Sequence, residues 1–134
     1  MKTTIQSLCF FLITFMLVSS CSNVPVTGRK QLNLIPASQM MSMSYQQYDE
    51  FLKSNKLSTN AQQTQMVKTV GNKIKTAVEA YFQQQGNSSH LEGYNWDFNL
   101  VESPEANAWC MPGGKVVFYT GILPITKDET GLAV

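Results

Sequence analysis

The chain has 134 residues and few side chains with which to do chemistry. Its one histidine, His90, stands at the end of a polar run, NSSH. A catalytic zinc is held by three protein ligands, commonly including a pair of histidines at helical spacing, and one loop imidazole does not build that site. Ser-His-Asp and Cys-His schemes would draw on the same ring, so the residues do not argue for nucleophilic catalysis either. Cys110, between Trp109 and Met111, reads as a small buried hydrophobe rather than a nucleophile. Glu102 and Glu105 flank Pro104 in a turn, and Asp128 and Glu129 belong to a helix start. Paired acids for glycoside chemistry need facing positions in a cleft, which linear spacing does not provide. Asn87-Ser88-Ser89 fits the glycosylation acceptor pattern, a short motif that is frequent by chance. Residue chemistry alone shows no active site.

The segments that would position any site begin with an apolar run, Leu8 to Val18, broken only by Thr14 and preceded by Lys2. It is shorter than the roughly 20 residues of a spanning helix and reads as a secretory signal over residues 1–20. Val18-Ser19-Ser20-Cys21 resembles the lipobox of bacterial lipoproteins, in which Cys21 receives the lipid. The alternative is an ordinary export signal cleaved after Ser20, leaving Cys21 a free thiol. Lipidated Cys21 and a tether rich in turn residues would then occupy 21–37, with a short extended piece at Leu32 to Ile35. Removing the signal takes Cys9 away, and lipidation commits Cys21, so Cys110 stands alone and no intramolecular disulfide is expected. Lys2 also leaves, and of ten basic and nine acidic residues nine of each remain. That balance, without basic clusters, provides no electrostatic footprint for nucleic acid.

Residues 38–134 alternate between two periodicities. Ser38 is placed to cap a helix whose stripe is Met41, Tyr45, Tyr48 and Phe51 or Leu52. A second helix is expected over about 61–85, with Val67, Val70, Ile74, Ala77, Val78 and Tyr81 as its core stripe and Gly86 closing it. Gly71 inside that helix costs about 1 kcal/mol relative to Ala, so a close approach to neighbouring backbone is expected there. From Tyr94, Trp96, Phe98 and Leu100 alternate with Asn95, Asp97 and Asn99, the pattern of a half-buried strand. NAWCM, PGG and KVVFYTGIL read as strand, turn and strand, with Pro112, Gly113 and Gly114 making the reversal and Pro124 ending the second strand. Thr126 and Glu129 are spaced as a capping box for a last helix. Only about two turns follow, fewer than the roughly 12 residues an isolated helix needs, so the chain is expected to continue. The order, two amphipathic helices, three short strands and a helix start, is an α+β arrangement.

The segment NAWCMPGGKVVFYTGIL, followed by ETGLAV, resembles the gluzincin metallopeptidases related to HtpX and the CAAX prenyl endopeptidases. Their pattern is N-A-F-x-x-P-G-G-x-I-x-V-x-T-G-L-L and then a helix bearing H-E-x-x-H. Asn107, Ala108, Pro112, Gly113, Gly114, Thr120 and Gly121 match it, and Trp109 replaces the Phe. PVTGRKQLNL, residues 25–34, is similar to the segment after the lipidated cysteine of periplasmic lipoprotein members.

The resemblance implies an incomplete zincin-like domain whose last helix would reach the zinc histidines beyond Val134. It implies zinc in the full-length parent, no metal ligand and no catalytic residue in this chain, polypeptide substrates, and lipid anchoring to a membrane facing the periplasm. The activity implied is proteolysis of misfolded or misassembled envelope proteins, with the 134 residues inactive alone. Zinc peptidases hold substrates extended against an edge strand. Asn107, Ala108, Trp109, Cys110 and Met111 are the candidates for that strand or for one beside it. The alternative is that NAWCMPGG only fixes the hairpin. At the level of function, the alternative is a non-catalytic envelope lipoprotein that binds a partner through its Tyr- and Met-rich first helix and exposed sheet edge.

Overall fold

In the computed structural model, residues 21–24, 27–32 and 34–134 are described. The signal expected over 1–20 lies outside them. The chain divides into two units, one ending at Pro36 and one spanning Ala37–Val134. In the first, β1 (Cys21–Asn23) pairs antiparallel with β2 (Lys30–Leu32), with Cys21 opposite Leu32. The extended piece therefore falls two residues upstream of the expected Leu32 to Ile35. Leu34 and Ile35 are exposed.

In the second unit α1 spans Ala37–Ser54 and α2 spans Ala61–Gln84. Ser38 falls just inside α1 and does not precede it. Tyr48 is buried, and Met41, Tyr45, Phe51 and Leu52 are half-buried along the expected stripe; Ser44 joins them as a buried polar residue. At α2, Asn60 is the cap, its side chain accepting from the Gln63 amide at 3.1 Å, and Gly86 follows with φ 67°. The anticipated stripe of α2 holds only in its first half. Val67 and Val70 are buried, whereas Ile74 and Tyr81 are exposed. The reason is length: a 24-residue helix rises about 36 Å, and a five-residue strand spans about 17 Å. The helix overhangs the sheet.

The sheet consists of β3 (Asp97–Val101), β4 (Ala108–Met111) and β5 (Lys115–Tyr119) in the order β3-β5-β4. β4 and β5 form the expected hairpin, and β3 runs parallel to β5. The α+β expectation holds, but β3 is not half-buried against a wet face. Phe98 and Leu100 enter a core with Val67, Val70, Leu123 and Leu132, while Val101 and Val117 pack with Tyr48 beneath α1. Each face of the sheet has its own helix. Gly71 marks the closest approach: a Cβ there would run into the ring of Phe98, so the crowding partner is a side chain and not backbone.

β5 ends at Tyr119, earlier than expected. Thr120–Ile122 form a 3-10 turn, and α3 (Leu123–Thr126) follows. Pro124 sits in the first turn of α3, where its fixed φ suits a helix and its missing N–H is not needed. The last helix, α4 (Glu129–Ala133), is capped by Asp128, whose Oδ1 accepts from the Gly131 amide at 2.9 Å. The expected Thr126 box does not form, because Thr126 ends α3 and its hydroxyl donates to the Leu123 carbonyl. Glu129 instead pairs with Lys73 of α2 at 2.6 Å.

Burial pushes the Tyr48 phenol up to about 12, with the Asn99 amide donating to it at 2.9 Å. A folded value above the unfolded one, near 10, means a stabilisation that is complete below pH 10 and fades as pH rises through 12. Wild type is expected to lose roughly 2 kcal/mol more than Tyr48→Phe across that interval. Urea midpoints measured from pH 8 to 12 check this; parallel curves would mean the buried phenol is not responsible.

Candidate substrate strand

The turn between β4 and β5 needs two consecutive residues at positive φ, 85° at Gly113 and 82° at Gly114, which glycine adopts without steric cost. α1 holds this turn in place. The Ser44 hydroxyl donates to the Pro112 carbonyl at 2.7 Å, and the Tyr45 hydroxyl donates at 2.5 Å to the carbonyl of Gly93 in the loop before β3. The Tyr45 ring lies so close to Gly113 that a Cβ would collide with it. Lys115, buried where β5 begins, carries its ammonium 5.0 Å from the Tyr45 ring centre and 5.3 Å from that of Tyr48, a cation–π setting that partly replaces water.

Of these residues, Ser44 and Lys115 are the two that the sequence pattern does not single out. Ser44 and Lys115 both look like solvated polar positions. The signal for Lys115 is its alternation with Val117 and Tyr119, which puts it on the face that α1 covers.

The edge itself follows from register. The Tyr119 amide donates to the Asn107 carbonyl at 3.0 Å, and Trp109 and Met111 lie opposite Val117 and Lys115. In an antiparallel pair, residues alternate between bonding the neighbour and facing away. Ala108 and Cys110 therefore aim their N–H and C=O groups outward. No described strand pairs with that side of β4. The outer side of β3, by contrast, is closed by a bridge from Leu57 to Val101 and by bonds from the Ser58 amide to Leu100 and from the Glu102 amide to Lys56.

The five candidate residues divide by face. Trp109 and Met111 pack into the α1 cluster, where Trp109 meets Phe51 edge-on at 4.8 Å and donates to the Tyr119 hydroxyl at 3.3 Å. Cys110, expected to be a small buried hydrophobe, is exposed, because it points to the opposite face at the margin of the sheet that α2 leaves uncovered. Ala108 and Asn107 are half-buried, and the Asn107 side chain donates to Glu105 at 3.2 Å.

The charges nearby are structural. The Lys56 ammonium, 2.6 Å from Glu102, holds that carboxyl below its usual range. His90 is exposed on the 3-10 turn Ser88–Leu91. Among the described residues no three His, Cys, Asp or Glu side chains come together to hold a metal ion. The described residues therefore supply no ligand set for a zinc ion.

Residues 70–134 match the model of Peptidase family M48. That M48 match contains the overhanging half of α2, the whole sheet and α4. The chain is 44% identical over 46 residues to a mitochondrial metalloendopeptidase OMA1 of Arabidopsis thaliana, covering 34% of this chain and 10% of that protein. It is 37% identical over 62 residues to the protein of that name from Saccharomyces cerevisiae, 45% of this chain and 18% of the other. To a mitochondrial metalloendopeptidase OMA1 of Danio rerio it is 23% identical over 118 residues, 88% and 24%. The chain thus spans less than a quarter of these relatives. The similarity is to M48 metallopeptidases, and the segment 25–34 lies outside the M48 match. Among the described residues no helix is long and apolar enough to cross a membrane.

Proposed function

We propose that the chain is the amino-terminal part of a zinc-dependent metalloendopeptidase of the cell envelope, gluzincin in type, and that it contributes the strand against which polypeptide substrates are held. The observation that carries this is the M48 match over residues 70–134, which takes in β3, β4, β5 and the Pro112-Gly113-Gly114 turn.

The role of these residues is positional. Ala108 and Cys110 offer outward N–H and C=O groups to an extended main chain, which aligns a substrate whatever its side chains are. Ser44, Tyr45 and Lys115 keep the Pro112-Gly113-Gly114 turn fixed, so the edge keeps its direction. Zinc ligands would come from residues outside the 134, which are inactive alone.

The envelope reading rests on the signal pattern of residues 1–20 and the lipobox, with lipidated Cys21 as the membrane anchor. Misfolded or misassembled envelope proteins are the substrates, since recognition through the main chain favours segments that are already extended. The reading is tested by assaying the complete gene product on an unfolded polypeptide, with and without a chelator.

A further inference from the structure

A groove lies away from the β4 edge, where the parallel strands β3 and β5 end at Val101 and Tyr119. Two adjoining cavities of about 390 and 550 Å³ share Asn60, Gln63 and Thr120 as walls. In open sheets with parallel strands, ligands collect in the crevice outside the carboxyl ends of the strands. Sites of a few hundred Å³ with an apolar floor and a few convergent polar groups are the ordinary form of such a crevice.

The apolar lining is Met66, Leu123 and Pro124, with Pro104 in the second cavity. Gln62 and Gln63 also line the first cavity, and their carboxamides make no hydrogen bond among the described residues. Asn60 uses its oxygen on the Gln63 amide, and its side-chain nitrogen makes no hydrogen bond among the described residues. Glu102, already paired with Lys56, lines the second cavity, and Lys127 lines the first. No aromatic ring lines either cavity, so nothing is present on which a sugar would stack.

A carboxamide offers a donor and an acceptor side by side, as does a peptide unit. We propose that this groove binds an extended, uncharged polypeptide segment through its main chain, using Gln62, Gln63 and Asn60, as a second contact separate from the β4 edge. The inference concerns binding and stands whether or not the parent hydrolyses peptides.

The test is an NMR titration of the ¹⁵N-labelled full chain with a capped peptide of alternating alanine and asparagine, and in parallel with a chitin oligosaccharide. The expected result is saturable shifts at the side-chain amides of Gln62 and Gln63 and at the Thr120 backbone with the peptide and none with the sugar. Gln63→Ala should weaken that binding about fivefold, the effect of one or two neutral hydrogen bonds. Gln62→Ala is the second variant. Alanine is the best helix former, so both keep α2 folded. Shifts confined to Ala108–Met111, shifts with the sugar, an affinity unchanged in both variants, or no shift at all would overturn the proposal.

Discussion

Replacing Gly71 by valine should lower the urea midpoint of the Ala37–Val134 unit by the equivalent of about 3 kcal/mol, the upper end of what overpacking costs. Gly71 is buried where α2 lies on β3, and a Cβ would land on the Phe98 ring. That ring cannot move aside, since it is itself buried and stacked against Trp96 with 6.3 Å between centres. Native domains have only about 5–15 kcal/mol of stability, so this one substitution takes a large share. Gly71→Ala should cost less, because about 1 kcal/mol of helix propensity offsets part of the clash. Trimming the ring in the double variant Gly71→Val, Phe98→Ala should recover part of the loss, a coupling of the size contacting pairs show. A midpoint left unchanged by valine would mean that α2 and β3 are not in contact there.

Ala108→Pro, introduced into the complete gene product, is expected to reduce cleavage of an unfolded polypeptide at least about tenfold, the effect of losing roughly 1.4 kcal/mol of transition-state binding. The outward N–H of Ala108 has no partner among the described residues, and proline is tolerated at edge positions of this kind. The hairpin bonds at Asn107 and Trp109 survive, so thermal stability should change little while turnover falls. Cys110→Pro removes the next outward N–H and should act in the same direction. Full activity in both proteins would leave NAWCMPGG as a hairpin device only.

Much of this was legible in the sequence, and the parts that were not share a cause. Periodicity reports which face of an element is apolar, and so it located α1, α2 and the β3 alternation closely. It does not report how far the opposing element extends, so Ile74 and Tyr81 continue the apolar stripe past the reach of the short strands and are exposed. Local capping chemistry is degenerate: Thr126 and Asp128 are both good caps, and only the fold decides that α3 claims the threonine. The parallel pairing of β3 with β5 is a long-range choice, and it is what makes β4 an edge and exposes Cys110. Lys115 was opaque because its burial depends on two tyrosine rings from α1. The PGG turn was the clearest local signal, since two successive positive φ angles leave few residues other than glycine.

The proposed activity is metal-dependent cleavage of polypeptides, with this chain holding the substrate. The most direct measurement is hydrolysis of an unfolded protein by the purified complete gene product before and after removal of metal by a chelator. Loss of cleavage on chelation and its return on adding zinc is the predicted result. Cleavage that continues undiminished once the metal is gone would contradict it.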